Sequence, residues 1–253
     1  MIARGPDIPE DLAKDHAAPR AGQTASQSAR EIGAIWVKTF QNIGGLKAGQ
    51  SVLDIGCGPG RMAIAIGEAF NWANPYCGFD VNSADIAFAS AEISARWPAF
   101  RFTHMDLWNE HYNPRGKIKP AQAIFPMADG DADFAFATSV FTHMFRDEVE
   151  RFIAEAHRCL KAGGTFLSTF FIRSPDVEEA IATRTARFQF AHRADDVTWF
   201  QNPKERGKAV AFARDYALQA FARAGFADVA HHPGAWSGAK GLHQQDVIVA
   251  RKA

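Results

Sequence analysis

Cysteine is scarce in this sequence, with only Cys57, Cys77 and Cys159 among 253 residues. Their spacing matches neither a zinc-binding pair nor a redox motif. An odd number of cysteines favours free thiols in a reducing compartment. The histidines do not occur with an acid at the helical spacing that would suggest a metal site. We therefore predict that the protein holds no metal ion.

Three further absences narrow the class of protein. No apolar run approaches the ~20 residues that are needed to cross a bilayer. The first residues lack the basic-then-apolar pattern of a secretory signal. Lys plus Arg and Asp plus Glu both number 28, whereas a nucleic-acid binder usually has a basic excess. We expect a cytoplasmic protein that has neither a membrane nor a nucleic acid as its main partner.

The chain from residue 51 onward alternates short apolar runs with amphipathic segments. Such alternation predicts βαβ units and a parallel sheet. The predicted strands are residues 51–55, 76–80, 100–104, 133–140, 164–172, 228–232 and 246–250. The predicted helices within this region are residues 61–70, 84–96, 147–160 and 215–224. The fold class is therefore α/β.

Apolar residues make up 47% of the chain, which is enough for one core. We predict one domain at 46–253, preceded by an N-terminal arm and helix at 1–45. Within the latter, residues 1–24 show no sustained period and are interpreted as a loose arm. Two stretches, at about 107–127 and 173–209, interrupt the strand–helix rhythm. Loops of such length inside a compact domain are usually functional or disordered, so we treat both stretches as insertions.

The most specific signal is an apolar strand that runs into Gly56, Gly58 and Gly60 and then into a helix. Glycines let the backbone turn sharply and approach a ligand without Cβ clashes. The helix N-terminus that follows offers unpaired N–H groups. Because ligands of open α/β sheets bind at the carboxyl ends of the strands, this turn predicts a ligand site.

Asp80 closes the second predicted strand, 24 residues after Gly56 by the difference 80 − 56. An acid at about this distance can accept hydrogen bonds from ribose hydroxyls, and its charge disfavours a 2′-phosphate. The dinucleotide fingerprint is Gly-x-Gly-x-x-Gly, whereas this sequence has Gly-x-Gly-x-Gly. The spacing therefore argues against an NAD-dependent dehydrogenase, which we keep as an alternative.

Residues 52–60, Val-Leu-Asp-Ile-Gly-Cys-Gly-Pro-Gly, resemble the first motif of class I S-adenosylmethionine-dependent methyltransferases. The similarity covers roughly residues 46–172, including Leu-Lys-Ala-Gly-Gly-Thr-Phe at 160–166. It implies a Rossmann-like, seven-stranded, mostly parallel sheet with a final antiparallel strand, and we expect a small insertion or cap after strand five. The implied cofactor is S-adenosylmethionine, and its product is S-adenosylhomocysteine.

The resemblance also implies which residues bind the cofactor. Asp54 would support the glycine turn, Asp80 would hold the ribose hydroxyls, and Asp106 would accept from the adenine amino group. The full predicted set is Asp54, Gly56, Cys57, Gly58, Gly60, Arg61, Asp80, Val81, Asp106, Leu107 and Ser139.

Methyl transfer from a sulfonium requires mainly that the reactants are positioned. A base is needed only where the attacking atom carries a proton, and histidine is the usual choice. His143 is the first candidate, since it follows the fourth strand on the cofactor side of the sheet. The alternative is a surface histidine or a cap of the helix at 147–160. Weaker candidates are His192, His231, His232 and His243.

The acceptor is expected to be a small molecule that is methylated at a hydroxyl group. The five aromatic residues Phe188, Phe190, Trp199, Phe200 and Trp236 either wall an acceptor pocket or pack the second insertion onto the sheet. Three cations, Arg173, Arg184 and Arg187, either bind an anionic acceptor or form a solvated face. Two alternatives stay open: nitrogen or carbon methylation on the same scaffold, and a non-catalytic subunit that binds S-adenosylmethionine.

Overall fold

The computed structural model describes residues 4–70 and 72–253 and contains two β-sheets. The helices are α1 Glu10–Ala13, α2 Ala25–Asn42, α3 Arg61–Phe70, α4 Ser83–Phe88, α5 Ser94–Arg96, α6 Arg146–Cys159, α7 Pro175–Ala182 and α8 Arg214–Arg223. The strands are β1 Val52–Ile55, β2 Tyr76–Asp80, β3 Phe100–His104, β4 Ala132–Ala137, β5 Leu160–Phe170, β6 Ile172–Arg173, β7 His192–Arg193, β8 Thr198–Phe200, β9 Val210–Ala213, β10 Phe226–His232 and β11 Asp246–Lys252. Within the described ranges, no helix is long and apolar enough to cross a membrane.

The main sheet has seven strands in the order β10-β11-β5-β4-β1-β2-β3. Its central strands are parallel, and β11 runs antiparallel to both β5 and β10. The predicted seven-stranded, mostly parallel sheet is therefore confirmed. Several boundaries differ: β5 spans Leu160–Phe170 rather than residues 164–172, β10 begins at Phe226 rather than at residue 228, and β4 ends at Ala137 rather than at residue 140. Ser139 has a φ of 60°, which removes it from the extended region that a strand requires.

The main sheet is buried on both faces, which is why its strands read as continuous apolar runs. All four residues of β1 are buried. Leu53 and Ile55 pack into one apolar cluster together with Phe152 of α6. Val52 points to the opposite face and packs into a second cluster with Phe40 of α2. The parallel strands thus hold a helix layer on each side of the sheet.

The N-terminal arm is packed against the domain, so the interpretation of a loose arm is wrong over residues 4–24. Ile8 and Ala13 are buried in the cluster around α2 and α3. The Arg30 guanidinium of α2 lies 2.8 Å from Asp7 and 2.5 Å from Glu68 of α3. Two buried side chains and a shared arginine therefore fix the arm, although it has too little regular structure to show a period.

The second insertion forms a small sheet of four short strands in the order β6-β9-β8-β7. Phe190 and Trp236 are fully buried and pack with Phe171 at the end of the main sheet. The first insertion is closed by two isolated bridges, which join Leu107 to Ile118 and Asn109 to Asn113. Both insertions are thus ordered parts of the domain.

Asp246 at the start of β11 connects the two sheets. Its carboxylate is buried and accepts hydrogen bonds from His231 Nε2, from the backbone N–H of Gly234, and from the indole N–H of Trp236. It also accepts from the backbone N–H of Ile172, the first residue of β6. A buried charge requires such partners, and here the four donors come from β6, from β10 and from the segment at 233–237.

We expect Asp246→Asn to lower the free energy of unfolding by about 2–4 kcal/mol. Each carboxylate oxygen accepts from two donors, and the substitution replaces one oxygen by an NH2 group, which cannot accept a hydrogen bond. Urea denaturation followed by circular dichroism measures this change. The matched control is Asp228→Asn, an exposed carboxyl of β10, which should change the value by less than about 0.5 kcal/mol. Equal stability of the two variants would contradict the proposed connection.

Candidate active site

The glycine turn after β1 is tied to the end of β2. Gly56 and Gly58 have φ values of 73° and 52°, which an L side chain rarely adopts. The Gly56 N–H donates to the carbonyl of Phe79, and the Gly58 N–H donates to Asp80 at 2.8 Å. A Cβ at Gly56 would lie 2.5 Å from the Val140 side chain. Glycine is therefore required here both by conformation and by space.

Asp80 lies at the carboxyl end of β2. One carboxylate oxygen accepts from Gly58, and the other accepts from the N–H of Asn82 at 2.9 Å. Burial raises the pKa of Asp80 above its ordinary value, while the two backbone donors act in the opposite direction. A carboxylate can accept more than two hydrogen bonds, so Asp80 retains capacity for ligand hydroxyls.

A cavity of about 450 Å³ opens at the carboxyl ends of β1, β2 and β4, and we call it the first cavity. Eight of the predicted site residues, spread over the sequence between Gly56 and His143, line this cavity. These are Gly56, Cys57, Arg61, Asp80, Val81, Leu107, Ser139 and His143.

The other four predicted cofactor residues do not line the first cavity. Asp54 lies beneath the turn, where it is buried and accepts from the Tyr76 hydroxyl at 2.5 Å. Asp106 accepts from the side-chain amide of Asn113 inside the first insertion, at 3.2 Å. Gly58 and Gly60 shape the turn. A direct contact with the cofactor stays a prediction for these four residues, as it does for the seven that line the first cavity.

The N-terminal arm supplies one wall of the first cavity, through Asp15, His16, Ala17 and Ala18. The His16 ring lies against Gly58, and its Nε2 is 2.9 Å from a carboxylate oxygen of Asp85. The buried Arg61 guanidinium, whose pKa burial lowers to about 10, donates to the His16 carbonyl. Sequence reasoning missed these residues, because no local pattern in the arm indicates contacts with the glycine turn.

His143 ends a 3₁₀ turn, Phe141–His143, that follows β4. Its Nδ1 is 2.9 Å from the carbonyl oxygen of Gly207 in the second insertion. A carbonyl can only accept, so Nδ1 carries the proton and Nε2 keeps the lone pair. Burial lowers the pKa of His143 below its ordinary value of 6.5. The side chain is therefore neutral at pH 7 and has a basic nitrogen.

A second cavity of about 570 Å³ adjoins the first. Its lining includes Thr142, His143, Phe171, Phe188, Lys208 and Gln245. His143 and Gln245 line both cavities and so stand at their junction.

The five aromatic residues predicted above, four from the second insertion and Trp236 from the segment before β11, divide between the two predicted roles. Phe188 lines the second cavity, whereas Phe190 and Trp236 are fully buried in the core of the insertion. Trp199 lies under the Arg173 guanidinium, 4.3 Å from the ring centroid. Phe200 packs in the apolar cluster of the main sheet. Packing is therefore the main role of these rings, and one of them borders a pocket.

The remaining candidate histidines lie outside both cavities. His243 stacks on Trp36 with a centroid distance of 3.8 Å, and His192 stacks on Phe200. His231 belongs to the Asp246 cluster, and His232 ends β10. Across residues 4–70 and 72–253, no three His, Cys, Asp or Glu side chains come together to hold a metal. The absence of a metal site stays a prediction.

The sheet order, the glycine turn and Asp80 define a class I methyltransferase, and a family model described as "Methyltransferase domain" matches residues 53–168. Over residues 53–168 the chain therefore has the methyltransferase domain of the class I, S-adenosylmethionine-dependent enzymes. The site residues fit that cofactor, because the first cavity runs along a glycine turn that leaves no room for Cβ atoms and past the Asp80 carboxylate.

A curated relative is tRNA N(3)-cytidine methyltransferase METTL2 of Gallus gallus, which is 25% identical over 133 residues. The match covers 51% of this chain and 32% of that protein. The chain thus spans about a third of the length of this curated relative.

Several solved structures share the fold at low sequence identity. A candidate O-methyltransferase from Nostoc punctiforme has a TM-score of 0.60 at 16% identity, over 90% of this chain and 58% of that one. The [4+2]-cyclase SpnF has a TM-score of 0.57 at 18% identity, over 96% and 90%. The Burkholderia thailandensis 1,6-didemethyltoxoflavin N1-methyltransferase, solved with its acceptor and S-adenosylhomocysteine, has 0.53 at 16%, over 89% and 79%.

We expect Asp80→Ala to weaken the binding of S-adenosylhomocysteine by about 1–3 kcal/mol, since it removes a charged acceptor and the partner of the Gly58 N–H. Isothermal titration calorimetry of the purified variant measures this loss. Asp228→Ala, in an exposed position of β10, serves as the control. Unchanged affinity in Asp80→Ala would remove Asp80 from the cofactor site.

Asp54 provides a prediction on stability, because burial raises its pKa to about 7 from the ordinary value of 3.8. Between these values the folded state binds a proton that the unfolded state lacks, so this stabilisation is present at low pH and lost as the pH rises through about 7. The Asp54→Asn variant lacks this titration.

We therefore expect the free energy of unfolding of the wild type, relative to Asp54→Asn, to fall by about 1–4 kcal/mol between about pH 4 and about pH 8. Urea denaturation at a series of pH values measures the difference. A constant difference across this range would show that Asp54 is ionised throughout.

Proposed function

We propose that this protein transfers a methyl group from S-adenosylmethionine to a hydroxyl of a small molecule that binds in the second cavity. The observation that carries this proposal is the position of His143, which lines both cavities. A group that takes the hydroxyl proton must reach the acceptor on one side while the methyl donor lies on the other.

The residues of the first cavity hold the methyl donor. The turn at Gly56 and the Asp80 carboxylate would bind its methionine and ribose parts, while Val81 and Leu107 would contact the adenosine. When bound, S-adenosylmethionine supplies a sulfonium methyl group that an acceptor oxygen can attack in line. The protein's own contribution is therefore mostly to position the two reactants across the junction.

His143 would act as the general base. Its Nδ1–H is held by the Gly207 carbonyl, which fixes the ring and leaves Nε2 to accept the hydroxyl proton. The lowered pKa keeps the imidazole neutral at pH 7, the form that a base requires. Gln245 at the same junction accepts from Ser139 through its carbonyl oxygen, so its amide NH2 can orient the acceptor.

The second cavity supports a small-molecule acceptor. Its volume of about 570 Å³ lies within the usual range of ligand pockets, and it combines aromatic walls with a few polar groups. The Burkholderia neighbour was solved with 1,6-didemethyltoxoflavin bound beside S-adenosylhomocysteine. The Gallus relative is named for a tRNA substrate, but equal numbers of basic and acidic residues favour a small molecule over a polyanion.

A substrate screen tests this proposal. The protein is incubated with deuterated S-adenosylmethionine and either a panel of phenols and alcohols, matched amines, or total tRNA, and methylated products are detected by mass spectrometry. O-methylated small molecules support the proposal, whereas a methylated amine or tRNA contradicts it. Binding of S-adenosylhomocysteine without any product would favour a non-catalytic subunit.

We expect His143→Gln to lower the turnover of the best hydroxyl acceptor by about 10²–10⁴-fold while the affinity for S-adenosylhomocysteine stays unchanged. In the wild type, the rate should fall on the acid side of the ordinary histidine pKa of 6.5 as the imidazole protonates, and this acid limb should vanish in the variant. Normal turnover and an unaltered pH profile in His143→Gln would exclude the base role. His192→Gln is the matched control, because His192 lines neither cavity.

A further inference from the structure

The apolar part of the second cavity is formed by two phenylalanine rings. Phe171 is buried at the end of β5, and Phe188 of the second insertion is half-buried beside it. Their ring centroids are 5.1 Å apart with an interplanar angle of 57°. Two aromatic faces of this kind favour contact with a flat, apolar group such as another ring.

The polar part of the cavity offers mostly donors. The side-chain oxygen of Gln201 accepts from the N–H groups of Gln189 and Phe190 at 2.9 and 2.8 Å, which fixes its orientation. The side-chain oxygen of Gln245 likewise accepts from Ser139 at 3.1 Å. Both oxygens are therefore used by the protein itself, and the two NH2 groups are left to donate to a ligand.

Lys208 adds a positive charge to this donor-rich lining. Its ammonium lies 3.3 Å from Glu205, and the two side chains are 64% and 41% exposed. An exposed pair of this kind is worth little, so the ammonium can turn to a ligand at small cost. No Asp or Glu among the described residues lines the cavity, and the Arg187 guanidinium lies over the Phe188 ring, 5.6 Å from its centroid.

Thr142 is an independent sign of a ligand in this cavity. The residue is fully buried, and within the described parts of the chain its hydroxyl oxygen has no hydrogen-bond partner. The other buried side-chain atoms without partners belong to residues that line neither of the two cavities. An unpaired buried hydroxyl destabilises a protein, so its place on the cavity wall indicates a group that bonds to it.

We propose that the methyl acceptor is an aromatic carboxylate, with its ring against Phe171 and Phe188, its carboxylate bound by Lys208, and a polar group bonded to Thr142. This inference rests on the proposed function, because it takes the second cavity as the acceptor site. It adds a substrate class, which a cavity shape alone does not provide.

Matched pairs of ligands test the charge requirement. The protein is saturated with S-adenosylhomocysteine and titrated by calorimetry with para-hydroxycinnamate and its primary amide, and with salicylate and salicylamide. The two compounds of each pair have the same ring and differ mainly in the negative charge of the carboxylate. We expect the wild type to bind at least one acid about tenfold more tightly than its amide, as a charged hydrogen bond implies.

Two lysine variants locate the effect. Lys208→Met should reduce the preference for the acid about tenfold and leave the affinity for the amide unchanged. Lys204→Met removes the same charge from an exposed position of the same loop that lies outside the cavity. This control should keep the wild-type preference, and an equal loss in both variants would overturn the role of Lys208.

Thr142→Val provides a second, independent readout. We expect the free variant to melt at the same or a higher temperature, because an unpaired buried hydroxyl is removed, while it binds the preferred ligand about fivefold more weakly. A lower melting temperature with unchanged ligand affinity would show that Thr142 serves only the fold.

The same compounds separate this inference from the proposed function when they are offered with S-adenosylmethionine. Equal binding and equal methylation of acid and amide would overturn the inference while the proposed function stands. Methylation of tRNA alone would overturn the proposed function and the inference with it. Failure of every member of the panel to bind at millimolar concentration would overturn the aromatic carboxylate class.

Discussion

The buried carboxylate of Asp246 is the interaction on which the geometry of the acceptor side depends. A charge in this position is tolerated only if nearby donors replace the water that it has lost. Those donors come from β6, from β10 and from the 233–237 segment between the last two strands. The carboxylate therefore fixes the point where the second sheet leaves the main one. Gln245 immediately precedes it, so the position of this amide between the two cavities follows from the same cluster.

A residue with a strained backbone, Ser139, lies beside Gln245 at the junction of the two cavities. Ser139 adopts a φ of 60°, which costs a non-glycine residue about 1–3 kcal/mol unless its surroundings hold it in place. Here its N–H donates to the Thr169 hydroxyl of β5 at 2.7 Å, and its own hydroxyl donates to Gln245. The turn stops β4 at Ala137 and directs the chain so that His143 reaches both cavities. The strained residue, Ser139, thus lies just before the turn that carries the proposed base, His143.

The parts of the fold that the sequence predicts are those with a regular pattern. Parallel strands that are buried on both faces read as apolar runs, and the spacing of Gly56 and Asp80 reflects the register that joins β1 to β2. The arm has no such pattern, because His16 reaches Gly58 and Asp85 across long stretches of chain. The strands of the second sheet have between two and four residues, which is too short for an alternation to be recognised.

The aromatic residues of the second insertion show a further reason why a site escapes prediction. Phe188 and Phe190 are two residues apart in the sequence, yet one borders the second cavity and the other is fully buried. Composition and hydropathy are the same for both, so only the tertiary fold separates a pocket wall from a packing residue. The left-handed φ of 43° at Phe190 redirects the chain at this position.

The cofactor site and the proposed acceptor site depend on different kinds of residues. The cofactor half rests on the glycine turn and on the Asp80 carboxylate, and the fold that carries them is shared with structures that have only 16–18% identity with this chain. Those structures include a [4+2]-cyclase and an N1-methyltransferase, which means that the fold does not determine the reaction. The acceptor half is formed instead by side chains, several of them from the second insertion. If the proposed acceptor site is right, a substitution at Lys208 would alter the acceptor without disturbing the strands that carry the glycine turn and Asp80.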